Sequence, residues 1–136
     1  MYLEIISQRL VSEGICASFN VNNGLPKVFE RQLPQIPSDS ETVVAVMPDM
    51  DPVTHDEELP GYYKTEVQVI VASKRIQPGN ELANKIVKSL DFANLGNEDV
   101  LIKKCKPKHL PVQYRKNKSS AYEFSTNFKI VFVNRG

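Results

Sequence analysis

The sequence predicts an α+β (α/β) fold: a mixed, mostly antiparallel twisted β-sheet flanked by an N-terminal helix and a central helix, with a long C-terminal β-hairpin. Three observations predict it. Apolar residues recur at helical spacing near the N-terminus, residues 62–90 run from a strand through a Pro-Gly break into a helix, and the C-terminal segment alternates apolar and polar residues. The length of 136 residues, of which 41% are hydrophobic and 24% charged, fits a single domain over residues 1–136.

The N-terminal third predicts one helix and three strands. Leu3, Ile6 and Leu10 share one face of an amphipathic helix over residues 2–13. In residues 15–33, CASFNV and KVFERQL flank an Asn-Gly turn and resemble the two strands of a hairpin. The segment ETVVAVMP is wholly apolar, which is typical of a central strand buried on both faces.

Residues 48–61, PDMDPVTHDEELPG, predict a long loop with three prolines and five acidic residues. Loops of this length in small domains are usually functional or mobile. We therefore treat this segment as a candidate contact element.

Residues 62–71 alternate between two faces, which predicts a half-exposed strand. The segment QPGN interrupts the pattern, and Pro78 fits either a turn or the first helical position. A helix from about Asn80 to Leu90 follows, with Leu82 and Ile86 towards the sheet and DFANLGNED as its closing segment.

The C-terminal part predicts a further strand and a hairpin. DVLIKKC follows a helix and could pair parallel to an earlier strand through a right-handed crossover. In the second arm of the hairpin, residues 122–133 alternate strictly and would span ~40 Å at ~3.3 Å per residue. Such a strand either reaches another subunit or bends within its own sheet.

The sequence shows no motif for catalysis, for a cofactor or for a metal. RIQPGNE holds one glycine, and Pro78 removes a backbone donor, so this turn does not resemble a phosphate-binding loop. His55 and His109 are far apart in the chain and lack the neighbouring ligands of a metal site. Cys16 and Cys105 are expected to be reduced and partly buried. No signal peptide and no membrane-spanning run is predicted, because no apolar stretch approaches ~18 residues.

The charges form two poles. Residues 39–58 hold seven acidic residues and no Lys or Arg, whereas residues 101–136 hold nine basic residues and one acid. The poles are either two solvated surfaces or complementary patches through which copies of the chain pair head to tail. The candidate contact residues are Asp49, Asp51, Asp56, Glu57, Glu58, Lys104, Lys106, Lys108, Arg115, Lys116 and Lys118.

The basic segments KKCKPKH and YRKNK also leave a nucleic-acid interface open. Basic side chains beside Tyr114 and Tyr122 are of the type that follows a phosphate backbone or stacks on bases. On a strand without a bulge, Lys104, Lys106 and Lys108 would share one face, with Lys103 and Cys105 on the other. Charged strands also prevent aggregation, so a solvated or subunit-facing role is the alternative.

The order of these elements resembles the tail terminator family of long-tailed bacteriophages. The resemblance is carried by the strand VQVIV and by the helix that contains Ala83, Asn84, Ile86 and Leu90, and it is clearest over residues 42–92. It implies a structural virion protein, not an enzyme. It further implies a homohexameric ring that caps the head-proximal end of the tail tube, ends tube polymerisation and joins the tail to the head.

The same resemblance implies the partners and the location. These are the tail tube protein and a head-completion or connector protein, with genome DNA passing through the lumen without sequence recognition. The protein would act at the tail–neck junction of the virion, after assembly in the host cytoplasm. The alternatives are a neck or head-completion ring protein, a small nucleic-acid-binding module that uses the basic hairpin and, last, an enzyme with an unrecognised site.

Overall fold

The computed structural model describes residues 2–34, 36, 42–48, 53–55, 61–114 and 121–135. These residues form two helices and a mixed sheet. The elements are α1 (Tyr2–Ser12), β1 (Ala17–Ser18), β2 (Lys27–Glu30), β3 (Thr42–Pro48), β4 (Thr54–His55), β5 (Tyr62–Ser73), α2 (Ile76–Ser89), β6 (Phe92–Gly96), β7 (Val100–Pro107), β8 (Val112–Tyr114) and β9 (Tyr122–Asn134). The strand order is β1-β2-β3-β5-β9-β7-β6, with β4 paired to β5 and β8 paired to β9.

The centre of the sheet is the antiparallel pair β5 and β9. Their register runs without interruption from Tyr62 opposite Val133 to Ser73 opposite Tyr122. Strand β3 pairs antiparallel with the other edge of β5, and β7 pairs antiparallel with the other edge of β9. Of the two alternatives for β9, the structure shows residues 122–133 paired along their whole length with β5 in the same sheet.

Both helices cover one face of the sheet. Leu3, Ile6 and Leu10 of α1 are buried as predicted, and the Tyr2 ring stacks on Phe132 with centroids 5.3 Å apart. Helix α2 contributes buried residues to the same core, in which β9 supplies Phe124, Phe128, Ile130 and Phe132. The predicted alternation of β5 and β9 is confirmed, because their inward residues build this core.

Arg9 ties the two helices together at one corner of the core. Its Nε donates to the carbonyl of Ser89 at 2.5 Å, in the last turn of α2. Its guanidinium lies over the Phe92 ring at 4.6 Å and forms an ion pair with Glu13 at 3.2 Å. A cation at a helix C-terminus satisfies a free carbonyl and complements the helix dipole.

The N-terminal hairpin prediction is wrong, because β1 and β2 are parallel. Ala17 lies opposite Lys27 and Ser18 opposite Val28, and β2 continues parallel to β3. Val21 N–H donates to Ser18 O and Leu25 N–H to Asn23 Oδ1, so the chain makes two local turns between β1 and β2. A tight Asn-Gly hairpin would need a single turn between antiparallel strands.

Helix α2 begins at Ile76, earlier than predicted, so the Pro-Gly pair lies inside its first turn. Pro78 fits there because the first helical N–H groups have no intrahelical acceptor. Gly79 is required by packing: a Cβ at this position would lie 2.7 Å from Phe124 Cε2 and 2.8 Å from Ser73 Cβ. The glycine brings the helix against β5 and β9.

Two further predictions around β7 are wrong. Residues 92–96, expected in a loop, form the edge strand β6, and β7 pairs antiparallel with both β6 and β9, not parallel after a crossover. The register between β7 and β9 shifts between Ile102 and Lys104, so a bulge falls at Lys103. The bulge keeps both Ile102 and Cys105 buried, although strict alternation would separate them.

The long loop over residues 48–61 is only partly described. Thr54 and His55 form β4, which pairs with Lys64 and Tyr63 of β5. The predicted C-terminal hairpin is present as β8 and β9, with a short first arm because β7 occupies most of the same edge of β9. Neither described helix is long and apolar enough to cross a membrane.

We expect Gly79→Ala to destabilise the chain, although alanine is the better helix former by about 1 kcal/mol. The added methyl group must displace the Phe124 ring or the β5 backbone, and overpacking of this kind costs about 1–3 kcal/mol. Urea unfolding should show a net loss of up to about 2 kcal/mol in the free energy of unfolding. The control is Asn80→Ala, one residue further on at an exposed position. A Gly79→Ala chain at least as stable as the wild type would contradict the packing role.

We expect both cysteines to be unreactive in the folded chain at pH 8. Both are free and buried, and burial raises the pKa of Cys16 and of Cys105 to about 12, so the thiolate is scarce below that pH. A chromogenic thiol reagent should label neither cysteine in the native chain and both in urea. Labelling of the native chain at the rate of a free cysteine would show that one thiol is accessible.

Candidate functional site

The candidate site is the face of the sheet that lies opposite the helices, which we call the open face. No described helix covers it. At the end near Ser73, a small buried group of Val43, Ala72 and Ala121 lies on this face. Phe29 of β2 and, after β2, Leu33 and Ile36 pack against this group. The remainder of the open face carries exposed and half-buried side chains of β5, β9 and β7.

Five lysines of the described strands converge on the open face around the carboxylate of Glu66, and we call them the lysine array. The array consists of Lys64, Lys104, Lys106, Lys108 and Lys129, with Glu66 among them. All five side chains are exposed.

The register explains how three separate segments build this array. Lys64 of β5 and Lys104 of β7 both lie opposite Val131 of β9. In the next row on the same face, Glu66 and Lys106 both lie opposite Lys129. Neighbouring strands are ~4.8 Å apart, so these charges lie within about one Debye length of one another at physiological salt.

Lys108 closes the array through an ion pair. Its Nζ lies 2.7 Å from Glu66 Oε1, and about a third of each side chain is exposed. The Lys108 N–H donates to Asn127 O at 2.8 Å, and Asn127 N–H donates to His109 Nε2 at 3.3 Å. These bonds hold the segment after β7 against β9, so Lys108 reaches Glu66 from a fixed backbone.

Among the described residues, the array carries more positive than negative charge. The Lys108–Glu66 ion pair is partly exposed, and pairs of this type contribute only ~0.2–1 kcal/mol. Like charges at this spacing repel and gain from an acidic partner or from counterions. The geometry therefore suits contact with an acidic surface or with phosphate groups, and it offers no arrangement for covalent chemistry.

The structure confirms part of the predicted site geometry and extends it. Lys104, Lys106 and Lys108 share the open face, as predicted, but the bulge makes Lys103 an exception to the alternation. Lys64 and Lys129 were missed as site residues. Alternation along β5 and β9 assigns them to an outward face, but only the strand order brings them beside β7.

The remaining predicted contact residues lie outside the described residues. They are Asp49, Asp51, Asp56, Glu57, Glu58, Arg115, Lys116 and Lys118. We call residues 48–61 the acidic segment. Its described part pairs with β5 through β4, where Thr54 lies opposite Lys64 and the His55 ring lies 4.6 Å from that of Tyr63. Within the described ranges, no three His, Cys, Asp or Glu side chains converge as they would at a metal site.

Comparisons with known proteins identify the family and the fold. A family model described as bacteriophage tail terminator protein matches residues 21–134. No curated sequence matches the chain significantly. Among solved structures, a chain in the virion of a native gene transfer agent particle is similar, with a TM-score of 0.61 and 16% identity over 97% of this chain and 93% of that one.

The structural similarity, at this low identity, shows the fold alone. The family model extends from the β1–β2 connection to the end of β9 and thus includes the central sheet, α2 and the lysine array. Since it covers well over half of the 136 residues, the chain belongs to the bacteriophage tail terminator family.

Proposed function

We propose that this structural phage tail protein forms a homohexameric ring on the head-proximal end of the tail tube, stops tube polymerisation there and joins the tail to the head. The observation that carries the proposal is the family match over residues 21–134. The partners would be the tail tube protein and a head-completion or connector protein. The ring would act at the tail–neck junction of the virion, after assembly in the host cytoplasm.

The charge distribution supports ring formation. The strand order separates β4, which lies within the acidic segment, from Lys104 and Lys106 on β7, because β5 and β9 lie between the two strands. An acidic patch on one flank and a basic patch on the other are what a heterologous contact between identical subunits needs, and such contacts close into rings. We therefore propose that Asp49, Asp51, Asp56, Glu57 and Glu58 of one subunit face the basic residues of its neighbour.

The basic side of this contact combines the lysine array with Arg115, Lys116 and Lys118 at the hairpin tip. The array residues lie on rigid paired strands, so their charges are preorganised. Charged contacts of this kind set partner choice and association rate more than affinity. Genome DNA would pass through the lumen of the ring without sequence recognition, since phosphate contacts carry no base readout.

We expect the protein to limit tube length. When purified tail tube protein polymerises in vitro, adding the chain should shorten the tubes and place density at one end of each tube in electron micrographs. Tubes of unchanged length without end density, at a molar excess of the chain, would contradict the capping role. Bovine serum albumin at the same concentration controls for nonspecific effects.

Neutralising the acidic segment should weaken self-association. We expect the triple variant Asp56→Asn, Glu57→Gln, Glu58→Gln to need about tenfold more protein to assemble, equivalent to losing ~1.4 kcal/mol of contact free energy. Added salt should weaken the wild type in the same direction. The double variant Glu98→Gln, Asp99→Asn removes two exposed acids elsewhere and should assemble normally. Unchanged assembly of the triple variant would contradict the charged contact.

A further inference from the structure

The exposed apolar side chains of the described residues are not scattered. Nine large hydrophobic residues are at least 36% exposed: Val11, Phe19, Val21, Leu25, Val53, Ile76, Leu110, Val112 and Tyr114. Apart from Val53, they fall into two groups at opposite flanks of the sheet. Grouped exposed apolar surface, unlike single exposed residues, indicates an interaction site.

The first group is the short arm that carries β8, which we call the arm. Leu110, Val112 and Tyr114 are 73%, 45% and 53% exposed. Val112 lies opposite Ser125 and Tyr114 opposite Glu123, so both side chains point to the open face. One edge of β8 pairs with β9, and no described strand pairs with its other edge.

In the second group, Leu25 lines a cleft of about 470 Å³ on the helix side, whereas the Phe19 ring lies 6.3 Å from that of Phe29. The cleft lies between the end of α1, the β1–β2 connection and the start of α2, and its lining includes Ile15, Leu25, Pro78 and Leu82. The exposed residues Val11, Phe19, Val21 and Ile76 belong to these same three segments. Glu13 and Glu81 also line the cleft, against a single lysine, Lys85.

The arm and the cleft cannot cover each other within one chain. Strands β3, β5 and β9 lie between the β1–β2 side and β8, and the cleft is on the helix side whereas Val112 and Tyr114 point to the open face. Two different, complementary patches on opposite flanks match a heterologous interface, not a twofold one. A second copy of the same chain provides both patches.

We propose that the arm of one copy docks into the cleft of the next copy. The inference rests on the proposed self-assembly and adds a defined apolar contact to it. Charge contributes to the pairing mainly through Glu81, since the arm leads into Arg115, Lys116 and Lys118 with no acidic residue before Glu123, whereas Glu13 of the cleft already pairs with Arg9. Tyrosine and other large side chains in desolvated pockets carry much of the energy of such interfaces.

The arm–cleft contact is geometrically consistent with the proposed contact between the acidic segment and the lysine array. β4 and Lys104 belong to the same row of the sheet, since Thr54 lies opposite Lys64 and both Lys64 and Lys104 lie opposite Val131. At the other end of the sheet, Thr42, which lines the cleft, lies opposite Ser73, and Ser73 lies opposite Tyr122 of β9. The next residue of β9, Glu123, lies opposite Tyr114 of the arm. One side-by-side placement of two subunits would therefore bring β4 of one copy towards the row of Lys104 in the next copy, and the cleft towards the arm.

The test uses one arm variant, Val112→Asp, and one cleft variant, Leu25→Asp, with Gln8→Asp on the exposed side of α1 as the control. Val112 and Leu25 are exposed aliphatic residues, at 45% and 38% exposure, so the fold should tolerate both substitutions, which thermal unfolding checks. In native mass spectrometry, the arm and cleft variants should each lose the assembled ring or need about tenfold more protein to form it. Gln8→Asp should assemble like the wild type.

Mixing the two defective variants gives the decisive result. The intact arm of Leu25→Asp still fits the intact cleft of Val112→Asp, so the mixture should form heterodimers that cannot close a ring. Normal assembly of either variant alone, or no heterodimer in the mixture, would overturn the docking proposal while leaving ring formation intact. A wild-type chain that never self-associates would instead overturn the proposed function and this inference with it.

Discussion

The pairing of β5 with β9 is the constraint on which the rest of the structure depends. Its register runs from Tyr62–Val133 to Ser73–Tyr122 without a bulge, so the inward residues of both strands stay on one face along the whole length. A slip of one residue would move Phe124, Phe128 and Phe132 out of the core. The helices, the outer strands and the lysine array all take their positions from this pair.

The helices cover one face of the sheet only, and this one-sided packing links the fold to assembly. The covered face supplies the hydrophobic core. Gly79 allows α2 to pack closely against β5 and β9, and Arg9 joins α1 to the C-terminus of α2. In the described part of the chain, no helix covers the open face, which carries the lysine array. The core packed from one side is a rigid frame, with the arm and the cleft at its opposite flanks.

The elements that follow hydrophobic periodicity could be predicted from the sequence, namely α1, β3, β5, the body of α2 and β9. The antiparallel or parallel sense of β1, β2 and β7 could not, because periodicity reports which face is buried and not the direction of the neighbouring strand. The Lys103 bulge and the start of α2 at Ile76 depend on packing partners that are distant in sequence. Lys104, Lys106 and Lys108 could be placed on one face, whereas their meeting with Lys64 and Lys129 required the strand order.

The central claim is that chains of this protein meet through two opposite flanks to close a ring. The most direct measurement is the mass of the purified protein by native mass spectrometry over a range of protein and salt concentrations. The account predicts a closed species of six 15.4 kDa chains that dissociates as salt is raised, without an open ladder of longer oligomers. A species that remains monomeric at high concentration, or a dimer that does not grow, would contradict it.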